Sequence, residues 1–186
     1  MKFLKWILAV FVVLSLLLFF VARPYMQKQT KKHSPEKTVT YVKNGMDLSV
    51  NYSSPSKKDR IIFGELVPYD TIWRTGANEP TTFTTSTDIK IESKNLPAGT
   101  YSLWTRPNRQ SWSVIFNKDV PDWGVTILSG GKETTRVPGK DVLEVEIPTE
   151  ELPKTIENFT IDFDRQLHLY MRMTWDRTQV KISISK

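Results

Sequence analysis

Residues 167–175 read LHLYMRMTW, and their period decides the fold class. Leu167, Leu169, Met171, Met173 and Trp175 fall on one side of an extended chain, and His168, Tyr170, Arg172 and Thr174 fall on the other. Successive side chains of a strand point to opposite faces, so this alternation predicts a half-buried β-strand. The same reading extends outward in both directions. QVKISIS (179–185) follows, and VLEVEIP (142–148) and IENFTIDF (156–163) precede. Between those two, Thr149-Glu150-Glu151-Leu152 carries a cap-like pattern and predicts one helical turn. Further upstream come TTFTTST (81–87), DIKIES (88–93), LPAGTYSLWT (96–105), WSVIFN (112–117) and WGVTIL (123–128). VTYVK (39–43) meets MDLSVNY (46–52) across Asn44-Gly45, the strongest short hairpin signal. No segment past residue 37 carries a sustained helical period. The chain therefore predicts an all-β domain over 38–186. So many short strands close as a β-sandwich or jelly-roll-like body, because an open sheet of that size leaves hazardous edges.

Ahead of this domain, Trp6–Ala22 is free of charge and holds one hydroxyl, Ser15. With Phe3 and Leu4, and with Lys5 snorkelling outward, the apolar stretch suffices to cross a hydrocarbon core of roughly 30 Å. Trp6 and Tyr25 flank it as interfacial aromatics do. Arg23-Pro24 is expected to end the helix, since proline disfavours helix at the residue before it. A cleaved leader fits less well, because the run is long for such a segment and Phe20 stands where a small residue is wanted before a cut after Ala22. The expectation is a single transmembrane signal anchor over 1–22 and a solvated basic stalk over 23–37 (RPYMQKQTKKHSPEK) near anionic lipid headgroups. The cations after the helix outnumber those before it, which taken alone favours a cytoplasmic domain. The short two-lysine leader has the shape of an export signal, and the expectation is an inner-membrane, single-pass protein with its β domain on the extracytoplasmic, periplasmic side.

Charge excludes one large class of partner. The net charge is +6, yet residues 1–37 hold seven cations and one acid, while 38–186 hold nineteen of each. A neutral domain offers no footprint for a phosphate backbone, so nucleic acid is not an expected partner. The absence of cysteine excludes disulfides, thiolate metal sites and a cysteine nucleophile. His168 is the domain's one histidine, so no transition-metal site is expected. No glycine-rich phosphate loop and no nucleophile elbow occurs, and no cofactor is expected.

The stretch from Val50 to Gly124 contains YSSPS with RIIFG, then LVPY followed by WRTGANE, then LPAGTYSL, then WSVIFNKD with a nearby WG. In these segments it closely resembles the exported bacterial family known as domain of unknown function 2911. The closing LEVEIP, FTIDF and MTWDRTQVKISI are similar to that family's last strands, so the resemblance covers nearly all of 38–186. It implies an exported β domain and supplies no reaction, ligand or catalytic residue. Members of the family more often look like secreted proteins with cleavable leaders, and the long apolar helix here departs from that pattern.

The residues themselves single out one segment. Tyr69–Glu79 joins two strands and mixes aromatics with Arg74, Asn78 and Glu79, a combination able to read a polar ligand by stacking and bidentate hydrogen bonds. The same residues also suit a purely structural connection, with Asn78 in left-handed φ and Arg74 paired with Glu79 or Asp70. Trp104 and Trp123 are the tryptophans able to add a stacking surface, and Trp112 and Trp175 belong to alternating strands and to the core. The site expected is thus Tyr69, Trp73, Arg74, Asn78, Glu79, Trp104 and Trp123, taking a small polar ligand, a glycan or an envelope partner. A hydrolase built on a carboxylate pair such as Asp70 and Glu79, acting on envelope polymers, is one alternative, and a structural or assembly module is another.

Overall fold

A computed structural model describes residues 2–126, 129–131, 133–165 and 167–186 of the chain, in two units, one ending at His33 and one comprising Ser34–Lys186. In the first unit, helix α1 (Lys2–Leu17) passes into a π-helical turn at Leu18–Ala22 and then into α2 (Arg23–His33). Phe3–Ala22 is long and apolar enough to cross a membrane, with a mean hydropathy of 2.7. It could serve as an anchor or as a signal. Helix does not stop at Arg23-Pro24 as expected. The wide π turn accommodates the step, and Pro24 falls in the first turn of α2, where its missing N–H is no loss.

In the second unit, Asn44 and Gly45 take φ of 55° and 70°, as a two-residue type I′ turn requires, and join β1 (Glu36–Lys43) to β2 (Met46–Ser53). The remaining strands are β3 (Thr81–Thr85), β4 (Ile89–Ile91), β5 (Lys94–Leu96), β6 (Gly99–Pro107), β7 (Ser111–Asn117), β8 (Asp141–Arg165) and β9 (Leu169–Ser185). Every pairing between these strands is antiparallel, in the order β1-β2-β3-β6-β7-β8-β9-β4-β5. The protein is all-β behind its amino-terminal helix.

Strand β8 makes the closure. Its first part, to Pro148, pairs with β7, and from Thr149 onward it pairs with β9. Both ends of the sheet then return to β8. Tyr52 Oη and Ser54 Oγ donate to the carbonyls of Ile161 and Phe159, and Lys94 Nζ donates to that of Glu144. Leu48, Val50, Phe83, Leu103 and Trp112 from one layer therefore face Ile161, Met171, Met173 and Trp175 from the other in one core.

Three expectations change. Thr149–Leu152 is strand, not a helical turn, because Glu150 pairs with Lys181 at 2.7 Å and Glu151 with Arg177 at 3.1 Å across the ladder. The register then slips between Glu151 and Ile156, where Pro153 has no N–H to give. Leu167 is 94% exposed beside the β8–β9 turn, while Leu169, Met171, Met173 and Trp175 are buried as their alternation predicts. The segment 123–128 forms no strand among its described residues. Val125 makes a single bridge to Thr134, and Ile127 and Leu128 lie outside the described residues.

At the centre of the core, Trp73 enters from a loop. It stacks on Trp175 at 5.9 Å between ring centroids and meets Phe159 edge-on at 5.0 Å, with Trp112 and Phe63 completing the cluster. Trp73→Ala is expected to cost about 3–5 kcal/mol in chemical unfolding, as large-to-small core changes do. Lys181 hydrogen-bonds the Glu150 carboxylate and holds it below the usual carboxylate range, opposed by partial burial and aided by Gln179. Stability from a lowered carboxyl pKa is present above the unfolded value and is lost as pH falls through the folded one. Glu150→Gln is therefore expected to narrow the gap between the melting temperatures measured at about pH 7 and about pH 3.

Candidate functional site

The loop from Tyr69 to Glu79 is built against β6. Asp70 N–H donates to the Pro107 carbonyl, and Trp73 and Thr105 exchange both backbone hydrogen bonds, so the loop extends the ladder beyond the Thr81 side of β3. Beyond Trp73 the chain turns sharply. Asp70, Thr75 and Asn78 take φ of 59°, 56° and 59°, and Gly76 takes 144°. A β-branched residue in left-handed φ is a genuine outlier. Thr75 is held there by its hydroxyl bond to Thr105 Oγ1 at 3.2 Å and by Thr81 Oγ1 donating to its carbonyl. Trp73 Nε1 donates to the Gly76 carbonyl at 3.0 Å and closes the turn on itself. Gly76 lies so near β2 that a Cβ there would come within 2.8 Å of the Ser53 carbonyl oxygen.

The expected site residues do not converge on one place. Asn78 is 8% exposed; its Nδ2 makes long contacts to the Ser34 carbonyl and Ser53 Oγ, and its carbonyl accepts from Gly124 N–H at 3.1 Å. Its place in the loop is architectural. Tyr69 is half-buried under the Arg109 guanidinium, 4.9 Å from the ring centroid. Glu79 is half-buried, and Asp70 is exposed with its carboxylate accepting from Asn108 Nδ2 at 2.8 Å. Trp104 is fully buried, although Leu103 beside it is buried as well. The sequence requires one of that pair to face outward. It does, but the outward face is covered there: Trp104 Nε1 donates to Ser102 Oγ, which donates to the Asp119 carbonyl in the segment after β7. Trp104 therefore offers no stacking surface. Trp123 is half-buried, with its carbonyl accepting from Thr135 Oγ1.

Trp73 and Arg74 alone of the expected residues line a cleft, of about 400 Å³. Its described walls include Leu66, Pro68, Ile72, Val125 and Thr134. Arg74 is the one cation among its described lining residues. The stem of Arg74 packs on Gly124, where a Cβ would overlap Arg74 Cδ and stand 2.9 Å from its Cβ. The Asp70 carboxylate is engaged by Asn108 instead. Among the described residues Arg74 forms no ion pair, and its Nε is shut off from solvent with no acceptor. Burial pushes the Arg74 pKa down. The cleft walls were not among the expected residues. Leu66-Val67-Pro68, apolar yet outside any alternating run, was the signal for them.

A family model described as a protein of unknown function (DUF2911) matches residues 34–184. The chain belongs to that family. Neither the curated proteins nor the solved structures compared with it gave a match. In this DUF2911 domain the stretch WRTGANE (73–79) is the core plug, the cleft cation and the tight turn in succession. The separate WG (123–124) supplies the glycine on which the cation rests. Among the described residues, no group of three or more His, Asp or Glu is arranged to hold a metal ion.

Gly124→Ala is expected to displace Arg74 and lower stability by about 1–3 kcal/mol, as overpacking does. The double variant Gly124→Ala with Arg74→Ala is expected to recover part of that loss in a chemical unfolding cycle.

Proposed function

We propose that this DUF2911 domain is a non-catalytic binding module of the cell envelope that takes a small ligand in the cleft at Arg74. The apolar helix would hold it at the inner membrane, with the β domain on the extracytoplasmic side and the lysines of α2 near anionic headgroups. The family resemblance to exported proteins and the two-lysine leader support that orientation.

The observation that carries the binding reading is the state of Arg74. A guanidinium that serves only the fold is normally paired or hydrogen-bonded, because a buried unsatisfied donor costs about 1–3 kcal/mol. Arg74 Nε is buried without an acceptor, while the side chain forms part of an open cleft. A ligand anion in the cleft would offset the cost of holding that guanidinium charge out of water. Trp73 holds the loop and lines the cleft, and Asn78 and Tyr69 shape the loop around it.

Arg74→Met keeps the apolar stem and removes the charge. If Arg74 serves a ligand, the variant is expected to unfold within about 0.5 kcal/mol of the wild type or above it. Native mass spectrometry of the full chain, released from its own membranes, is expected to show a small-molecule adduct on the wild type and none on the variant. A stability loss of about 3 kcal/mol or more with no adduct on either protein would make Arg74 structural. Orientation is tested with alkaline phosphatase fused after Lys186: an active fusion is expected, and an inactive one puts the domain in the cytoplasm.

A further inference from the structure

We infer that the ligand of the Arg74 cleft is a small organic monocarboxylate with an apolar body, of the medium-chain or aryl-substituted kind. This rests on the reading of the cleft as a ligand site and narrows it to one chemical class.

The lining sets the class. Leu66, Pro68, Ile72 and Val125 present hydrocarbon, and Trp73 adds part of an indole. A sugar laid against these walls would bury hydroxyl groups with few partners, which is unfavourable for each one left unpaired. Thr71 and Thr134 are the neutral hydroxyl groups at hand. They suffice for one or two hydrogen bonds and not for the polar rim of a saccharide. An apolar ligand body is therefore favoured over the glycan considered from sequence.

The charge sets the head group. Arg74 is the one cation among the described lining residues, and among the described residues it forms no ion pair. A planar guanidinium matches a carboxylate in a two-bond fork, and one guanidinium balances one negative charge. A phosphate dianion would leave surplus charge against apolar walls, with no second cation among the described lining residues. The volume of about 400 Å³ sits near the small end of ligand pockets, roughly 300–1,000 Å³. That size suits a compact acid.

The test uses the full chain in lipid nanodiscs, with empty nanodiscs as reference, and follows tryptophan fluorescence and thermal unfolding. The probes are octanoate, 4-phenylbutyrate, octanol, inorganic phosphate and glucose. Octanoate or 4-phenylbutyrate is expected to saturate the fluorescence change and raise the melting temperature, while octanol, phosphate and glucose do neither. Arg74→Met is expected to weaken the carboxylates by about tenfold or more, the loss of a charge-assisted hydrogen bond. Leu66→Asp alters a side chain that is 44% exposed. It is expected to abolish carboxylate binding by placing a like charge in the cleft, while the free protein melts no lower than the wild type because the new carboxylate faces the Arg74 guanidinium. Glucose or octanol binding that still depends on Leu66 would overturn the carboxylate class and leave the cleft standing. No response to any probe, or carboxylate binding untouched by both variants, would overturn the class and the cleft together.

Discussion

Trp73 lies in a loop, yet its ring belongs to the core, stacked on Trp175 and wedged against Phe159 and Trp112. That single insertion ties the irregular segment between β2 and β3 to the two layers of strands. The backbone bonds between Trp73 and Thr105 fix the loop laterally, and the indole fixes it in depth. Such anchoring permits the left-handed Thr75 and the close approach of Gly76 to β2, conformations that an untethered loop would relax. Arg74, the next residue along, has its position set by that anchor and by the bare backbone of Gly124.

The local patterns that the sequence displays are those that local physics governs. Alternation located Leu169, Met171, Met173 and Trp175 on one buried face, and Asn44-Gly45 located the first hairpin. Long-range pairing explains the departures. Two runs on either side of Thr149–Leu152 are one strand because Glu150 and Glu151 find partners on β9, information held in residues some thirty positions away. The three-residue strand β5 is too short to carry a period of its own. Trp104 is alternate to Leu103 as a strand demands, and only the path of the later chain decides that both are covered.

The candidate site divides in the same way. Tyr69–Glu79 could be recognised from its composition as the unusual segment, because aromatic, cationic and amide groups rarely concentrate between two strands. Which of those groups serve the fold depends on what each touches. Asn78 spends its polar groups on Ser34, Ser53 and Gly124, whereas the Arg74 guanidinium, of the same motif, has no acceptor at Nε. The apolar walls come from residues that an alternation search passes over, since Leu66, Pro68 and Ile72 lie in irregular chain.

The double membership of β8 also governs when this domain can exist during synthesis. Tyr52 reaches the Ile161 carbonyl across 109 positions of sequence, and Ser54 reaches Phe159 across 105. Until β8 and β9 leave the ribosome, β1, β2 and β3 have no opposite layer to shelter their apolar faces. Contacts so distant along the chain carry a large loop-closure cost and form slowly. The nascent chain therefore cannot seal its core until its last strands are made.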